Sequence, residues 1–172
     1  MSRSFDLDPV DRITAGAVGE PGDRTFFVQA VGESDRVTLL AEKDQVRLLA
    51  EGIERLLAQI PDGPEGEEPA DEDLELSPPL EPEWRVGEMA IEFDEVNDRV
   101  TIVFNELQPE ETAEPPSQAR FVASRAQVRA MADHALEIVA AGRPRCQFCG
   151  HPLEAEGSHR CPAMNGHGAP QV

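Results

Sequence analysis

Cysteines gathered in one short window are the residues of this chain best suited to chemistry. All three cysteines of the 172-residue chain, Cys146, Cys149 and Cys161, lie near its carboxyl end. Cys146 and Cys149 are three positions apart and are followed by Gly150, whose permissive backbone suits a tight turn that lets two thiolates bind one ion. Three cysteines cannot form a disulfide framework, so cysteines clustered near histidines indicate a metal site.

The fourth ligand of such a site must come from a nearby histidine. His151 lies only two residues after Cys149 and would have to fold back onto the same turn. His159 lies two residues before Cys161, so a bent segment can bring both side chains to one ion. His167, in a glycine-rich stretch, is the alternative to His159. The predicted zinc ligands are Cys146, Cys149, His159 and Cys161.

A zinc ion held in this way is expected to be structural. A hydrolytic zinc keeps one coordination position open to water, whereas three cysteines and one histidine close the site. Redox chemistry is the other use of a Cys-x-x-Cys pair, and it places the pair at the start of a helix. Gly150 and Pro152 directly follow the pair here, which disfavours a helix.

Four arginines suggest an anion site. Arg24 and Arg99 occupy equivalent predicted turns, and Arg47 and Arg129 occupy equivalent positions on two predicted helices. If symmetry brings a pair together, they could bind an anion, although ordinary surface ion pairs are the simpler interpretation. We find no phosphate loop and no serine, histidine and aspartate set, so the sequence predicts no catalytic and no cofactor-binding residue.

The charge of the chain restricts its partners. Asp and Glu number 34 against 15 Lys and Arg, which gives a formal net charge of −19. Such a body repels nucleic-acid phosphates and anionic lipid, so we expect neither as its partner. No apolar run has the length of a signal peptide core or a membrane span, and we therefore expect a cytoplasmic protein.

The first half of the chain predicts a meander followed by a helix. Residues 12–18, 24–31 and 36–41 are rich in β-branched and aromatic side chains and are separated by clusters of Pro, Gly and Asp. Residues 43–60 carry apolar positions at spacings of three and four, which is typical of one helix face. Residues 61–83 contain ten acidic residues and no basic residue, and we expect a disordered linker there.

The second half repeats this plan. Strands are predicted over 84–93, with Trp84 at the start and a break near Gly87, near 100–104 and over 119–123. Ser124 is then predicted to begin a helix, with Gln127 as its capping-box partner.

A gapless alignment between the halves supports an internal duplication. Residues 39–50 align on 121–132 and share Ala, Gln, Val and Arg at equivalent positions. We therefore predict an α+β fold, with an antiparallel sheet and two helices built from units 12–60 and 84–142. The predicted domains are a body over 1–142 and a small zinc ribbon over 143–172.

Several strings resemble an uncharacterised actinobacterial family, a conserved domain of unknown function. They are EPGDRTFFVQA at 20–30, EKDQV at 42–46, WRVG at 84–87 and AGRPRCQFC at 141–149. The resemblance extends over nearly the whole chain. Tails of that family carry a Gly-His-x-Cys block, which His159 and Cys161 match apart from the inserted Ser158, so the resemblance favours His159 over His167. It implies no activity.

These observations favour a non-catalytic, zinc-stabilised adaptor or regulatory protein that binds another protein. The alternative is an enzyme acting on a small anion or phosphoester, using the four arginines at the interface between the repeats. A weaker alternative is contact between nucleic acid and the mildly basic zinc tail.

Overall fold

The structure is a computed structural model, and it describes residues 1–142, 145–151, 153, 161 and 162. The part described contains seven strands, two α-helices and one short 3-10 helix, which confirms the predicted α+β class. In chain order the elements are β1 (Ser4–Leu7), β2 (Arg12–Val18), β3 (Thr25–Val31), β4 (Arg36–Ala41), α1 (Lys43–Gln59), the 3-10 helix (Asp71–Leu74), β5 (Val86–Asp94), β6 (Arg99–Glu106), β7 (Gln118–Ala123) and α2 (Arg125–Ala140).

The strands form two sheets. One has the order β2-β3-β4 and the other β1-β7-β6-β5, with β1 parallel to β7 and all other pairs antiparallel. Three consecutive antiparallel strands followed by a helix therefore occur twice, as β2-β3-β4-α1 and as β5-β6-β7-α2. The predicted break at Gly87 is a register shift between Val86 and Met89 in the pairing of β5 with β6.

Both helices have a glutamine as their third residue, and the two glutamines act in the same way. The Gln45 side chain accepts a hydrogen bond from the backbone N–H of Glu42 at 2.9 Å, and Gln127 accepts one from Ser124 at 2.9 Å. The amide nitrogen of Gln45 donates to the backbone at the start of β5, and that of Gln127 donates to Val10, shortly before β2. Each helix is thus tied to the backbone at, or just before, the first strand of the other unit. This reciprocity is expected of a pseudo-twofold pair, and the duplication itself stays a prediction.

The core lies where the helices meet the inner faces of the sheets. The apolar face of α1 buries Val46, Leu49, Ala50 and Ile53, and that of α2 buries Val128, Met131, Ala132 and Ala135. Phe104 and Phe121 from neighbouring strands are fully buried, and their ring centroids are 5.5 Å apart. No helix in the described part of the chain is long and apolar enough to cross a membrane.

Backbone hydrogen bonds join the two sheets at both ends. The N–H of Leu40 in β4 donates to Trp84 at 2.9 Å, just before β5, and the N–H of Val10 donates to Val122 in β7 at 2.8 Å. Trp84 is buried and stacks on Phe5 with a centroid distance of 5.6 Å. The sheets therefore act as one continuous scaffold around the helices.

Residues 61–83 differ from the disordered linker that the sequence predicted. They cross the outer face of the β2-β3-β4 sheet, where a row of polar side chains receives them, and we call this segment the strap. The buried Gln29 donates to the Ser77 carbonyl at 3.0 Å and accepts from the Ser77 N–H at 2.8 Å. Thr14, paired with Gln29 in the sheet, donates to the Leu74 carbonyl at 2.5 Å. The strap is held by its backbone rather than by a core of its own.

A buried ion pair joins the start of the strap to the second unit. The guanidinium of Arg125, 6% exposed, contacts the carboxylate of Asp98 at 2.6 Å. It also donates to the Pro61 carbonyl at 2.8 Å and lies 5.0 Å from the centroid of the Phe93 ring. The β5-β6 turn, α2 and the strap are therefore fixed against one another.

Candidate metal centre

A backbone turn after α2 brings the first two cysteines together. The N–H of Gly150 donates to the Cys146 carbonyl at 2.8 Å, and the N–H of Cys146 donates to the His151 carbonyl at 2.8 Å. Gly150 has a φ of 73°, a backbone conformation that side chains with a β-carbon rarely adopt. The predicted role of Gly150 in a tight turn matches this geometry. We call residues 145–151 the knuckle.

The three cysteine sulfurs form one cluster. All three lie within 4.8 Å of one another, and the Sγ atoms of Cys146 and Cys161 are 3.8 Å apart. This separation is far from the disulfide bond length of about 2.0 Å. Two thiolates bound at about 2.3 Å to one tetrahedral ion are separated by about 3.8 Å. Cys146, Cys149 and Cys161 could therefore hold a metal ion between them.

Two of the three cysteines are shielded from solvent, and Cys149 is partly buried. Cys146 is 5% exposed and Cys161 1%, and Leu153, also 5% exposed, packs with them. Desolvation raises the pKa of the Cys149 thiol, and the neighbouring Cys161 and Cys146 thiols act in the same direction, whereas the backbone N–H of His151 opposes them. A metal bound here must displace the protons of the cysteine thiols, because the thiolate is the ligand.

Two of the three histidines considered as the fourth ligand lie outside the described residues. Among the residues described, the metal-binding group consists of the three cysteines and does not include His151, the histidine that spacing disfavoured. His159 and His167 lie outside the part of the chain that the structure describes. The assignment of His159 therefore stays a prediction.

The four arginines proposed for an anion site each have a separate local contact. Arg47 pairs with Glu51 at 3.0 Å, and Arg129 pairs with Glu65 at 2.6 Å. Arg99 is exposed and donates to the backbone of its own turn. Arg24 donates to the Ile138 carbonyl near the end of α2 at 2.8 Å, and it lines a pocket that the other three do not line.

Sequence reasoning missed the other basic residues of that pocket, which are Lys43, Arg85 and Arg145. They come from three separate parts of the chain, and no local pattern connects them. Only the fold places them beside Arg24.

The fold and the cluster define the class: an α+β protein with a buried cluster of three cysteines near its carboxyl end. The chain belongs to the family described as a protein of unknown function, DUF3090, whose model matches residues 5–161. The match runs from β1 to Cys161, and so includes all three cysteines. No curated protein and no solved structure matches the chain.

Proposed function

We propose that this protein is a non-catalytic, zinc-stabilised adaptor or regulatory protein that binds another protein. The observation that carries the proposal is the cluster of three cysteine sulfurs within 4.8 Å of one another, two of them on buried residues. Zinc suits it because thiolate-rich tetrahedral sites select zinc or iron–sulfur clusters, and one ion with three thiolates and a histidine is a common structural zinc site.

His159 is proposed as the fourth ligand. It lies inside the family match over residues 5–161, whereas His167 lies beyond it. A histidine two residues before Cys161 also needs only a short bend in the chain to reach the same ion.

The burial of the sulfurs supports a structural role for the ion. Cys146 and Cys161 are almost completely removed from solvent, so a substrate has little access to an ion between them. With a fourth protein ligand the ion has no open position for water, which hydrolytic zinc requires.

The exposed part of the knuckle is the proposed contact with a protein partner. Phe148 lies between Cys146 and Cys149 in the sequence and is 54% exposed. Large aromatic side chains on rigid supports dominate the energetics of many protein interfaces, and the metal would make this turn rigid. The charge of −19 argues against a nucleic acid or an anionic membrane as the partner of the body.

The test uses the zinc-loaded full chain with a photo-crosslinking amino acid in place of the exposed Gln147. Crosslinking in cells and mass spectrometry should identify one specific partner, and purified partner should then bind the purified protein. Phe148→Ser should weaken that binding at least about tenfold while zinc is retained, because an anchoring aromatic is lost. Val96→Ser is the matched control, since Val96 is 92% exposed on the β5-β6 turn, and it should leave affinity unchanged.

Two outcomes would contradict the adaptor proposal. One is the failure of crosslinking to recover any protein that also binds after purification. The other is equal binding by wild type and Phe148→Ser, which would remove the knuckle from the interface.

A further inference from the structure

A basic pocket of about 700 Å³ opens where the two units meet the knuckle. Arg24 comes from the β2-β3 turn, Lys43 from the start of α1, and Arg85 from the segment before β5. Gly142 follows α2, and Arg145 begins the knuckle. The volume lies in the range of small-molecule sites, about 300–1,000 Å³.

Two of the cations converge at Gly142. A β-carbon added to Gly142 would lie 2.9 Å from Nζ of Lys43 and 3.4 Å from Nη2 of Arg24. The absence of a side chain at Gly142 therefore leaves room for both groups at the same point of the pocket wall.

The other atoms of Arg24 are held in place. Its Nη1 donates to the Ile138 carbonyl at 2.8 Å, and its guanidinium lies 5.2 Å from the centroid of the Phe26 ring. This support fixes the guanidinium at the pocket. The fork of an anchored arginine is suited to phosphate or carboxylate oxygens.

The pocket has the opposite charge to the molecule around it. Among the ion pairs of the described residues, none joins a carboxylate to Arg24, Lys43 or Arg145. Arg85 pairs with Glu42 at 3.0 Å, and Glu42 also lines the pocket. Three cations without a carboxylate partner in one pocket repel one another unless an anion neutralises them. This arrangement is notable in a chain with 34 acidic and 15 basic residues.

The backbone adds to the positive potential. Lys43 is the first residue of α1, a helix of 17 residues, and the amino end of a helix carries a partial positive charge. This contribution supports the pocket's preference for anions without defining it.

From this convergence of cations in a cavity of ligand size, we propose that the pocket binds a small molecule that carries a chain of phosphate groups. A polyphosphate group offers several oxygens to the convergent cations, and the arginine fork matches phosphate bidentately. A small ligand is favoured over a nucleic-acid polymer because the rest of the surface repels a long polyanion. The proposal concerns binding and is independent of a protein partner.

Isothermal titration calorimetry of the zinc-loaded full chain tests the proposal, with inorganic tripolyphosphate, ATP, adenosine and citrate as probes. Tripolyphosphate and ATP should bind at one site per chain, adenosine should not bind, and citrate should bind more weakly than tripolyphosphate. Affinity should fall as salt rises.

Substitutions locate the site. Lys43→Gln and Arg24→Gln should each weaken tripolyphosphate at least about tenfold, because each removes a charge-assisted contact. Arg99→Gln, the matched change at the equivalent turn of the other unit, should have no effect. Circular dichroism checks that each variant is folded. Arg24→Gln also loses the hydrogen bond from Arg24 to the Ile138 carbonyl, and if that loss unfolds the protein, Lys43→Gln alone decides the test.

Three results would overturn the proposal. They are no binding of tripolyphosphate or ATP at millimolar concentration, equal affinity of wild type and Lys43→Gln, and an equal loss in Arg99→Gln. Citrate binding as tightly as tripolyphosphate would overturn the assignment to phosphate.

Discussion

The body and the knuckle bury their side chains in different ways. In the body, two helices and two sheets enclose a core that includes Phe104, Phe121 and Ile53, all fully buried. Around the knuckle, the buried cluster within the described residues consists of Cys146, Leu153 and Cys161, with Cys149 packed against it. One leucine and three cysteines bury too little apolar surface to offset the entropy of ordering a chain segment.

The two regions would therefore depend on different sources of stability. The body is stabilised by apolar burial, as expected for its size. For the tail, the free energy of metal binding would serve as folding free energy, about 10 kcal/mol or more for structural zinc. The two regions should therefore respond to different perturbations.

Metal removal should give the largest effect. A strong chelator should release the proposed zinc and abolish amide protection around Cys146, Gly150 and Cys161, because the apolar cluster that the described residues form there is too small to order the chain by itself. Amides in α1 and α2 should keep their protection, since the core side chains of both helices are buried in the body. Hydrogen exchange measured by mass spectrometry checks both parts. Loss of protection throughout the body would show that the two regions are not separate.

A core truncation should give the converse effect. Phe104→Ala should lower the free energy of unfolding by about 3–5 kcal/mol, because it leaves a cavity in the body. The metal content of the folded protein should be unchanged. Chemical denaturation and elemental analysis measure the two quantities, and Val96→Ala, at an exposed position, is the control. A matching loss of metal in folded Phe104→Ala would break the comparison.

Loosening the strap should have an intermediate effect, and it should lower the stability of the body without changing the metal site. Gln29→Leu should lower the free energy of unfolding by about 1–3 kcal/mol, because the half-buried Ser77 backbone loses both of its hydrogen bonds to the buried Gln29 side chain. Proteases should then cut within residues 61–83 more readily. Ser34→Ala, at an exposed position, serves as the control for both measurements. Unchanged stability and cleavage would mean that the strap is not held by Gln29.

The helix caps should give the smallest effect. Ser124→Ala should lower the free energy of unfolding by about 1 kcal/mol, since the Ser124 hydroxyl accepts from the Gln127 N–H at 3.2 Å. Metal content should again be unchanged. Thermal melts with and without chelator separate the stability of the body from the contribution of the metal. A loss of zinc in Ser124→Ala would contradict the independence of the tail.

Local patterns in the sequence were sufficient for most of the body. Hydrophobic alternation and turn residues located β2 and β4 at their observed bounds, and helical spacing located α1 to within one residue. The capping box at Ser124 was also correct. In each case the signal and the structure involve residues close in the chain.

What the sequence did not reveal depends on distant partners. The four-residue strand β1 pairs with β7, more than a hundred residues away, and is too short to give a periodic signal. The strap has the composition of a disordered segment, but Gln29 satisfies its backbone at Ser77. The sequence predicted equivalent turns at Arg24 and Arg99, but nothing local indicated the ion pair of the neighbouring Asp98 with Arg125. The basic pocket was missed for the same reason.

For the metal site, spacing identified the three cysteines that the structure brings together. The choice of the fourth ligand was between His159, two residues before Cys161, and His167, six residues after it, and the shorter spacing favours His159.

X-ray absorption at the zinc edge, combined with elemental analysis of the purified full chain, tests the central claim most directly. The account predicts close to one zinc per chain, with three sulfur neighbours at about 2.3 Å and one nitrogen neighbour at about 2.0 Å. Cys146→Ser and Cys161→Ser should abolish stoichiometric zinc, His159→Ala should replace the nitrogen neighbour or release the ion, and His167→Ala should leave the spectrum unchanged. A wild-type protein without zinc would contradict the account, and a spectrum changed by His167→Ala but not by His159→Ala would contradict the ligand assignment.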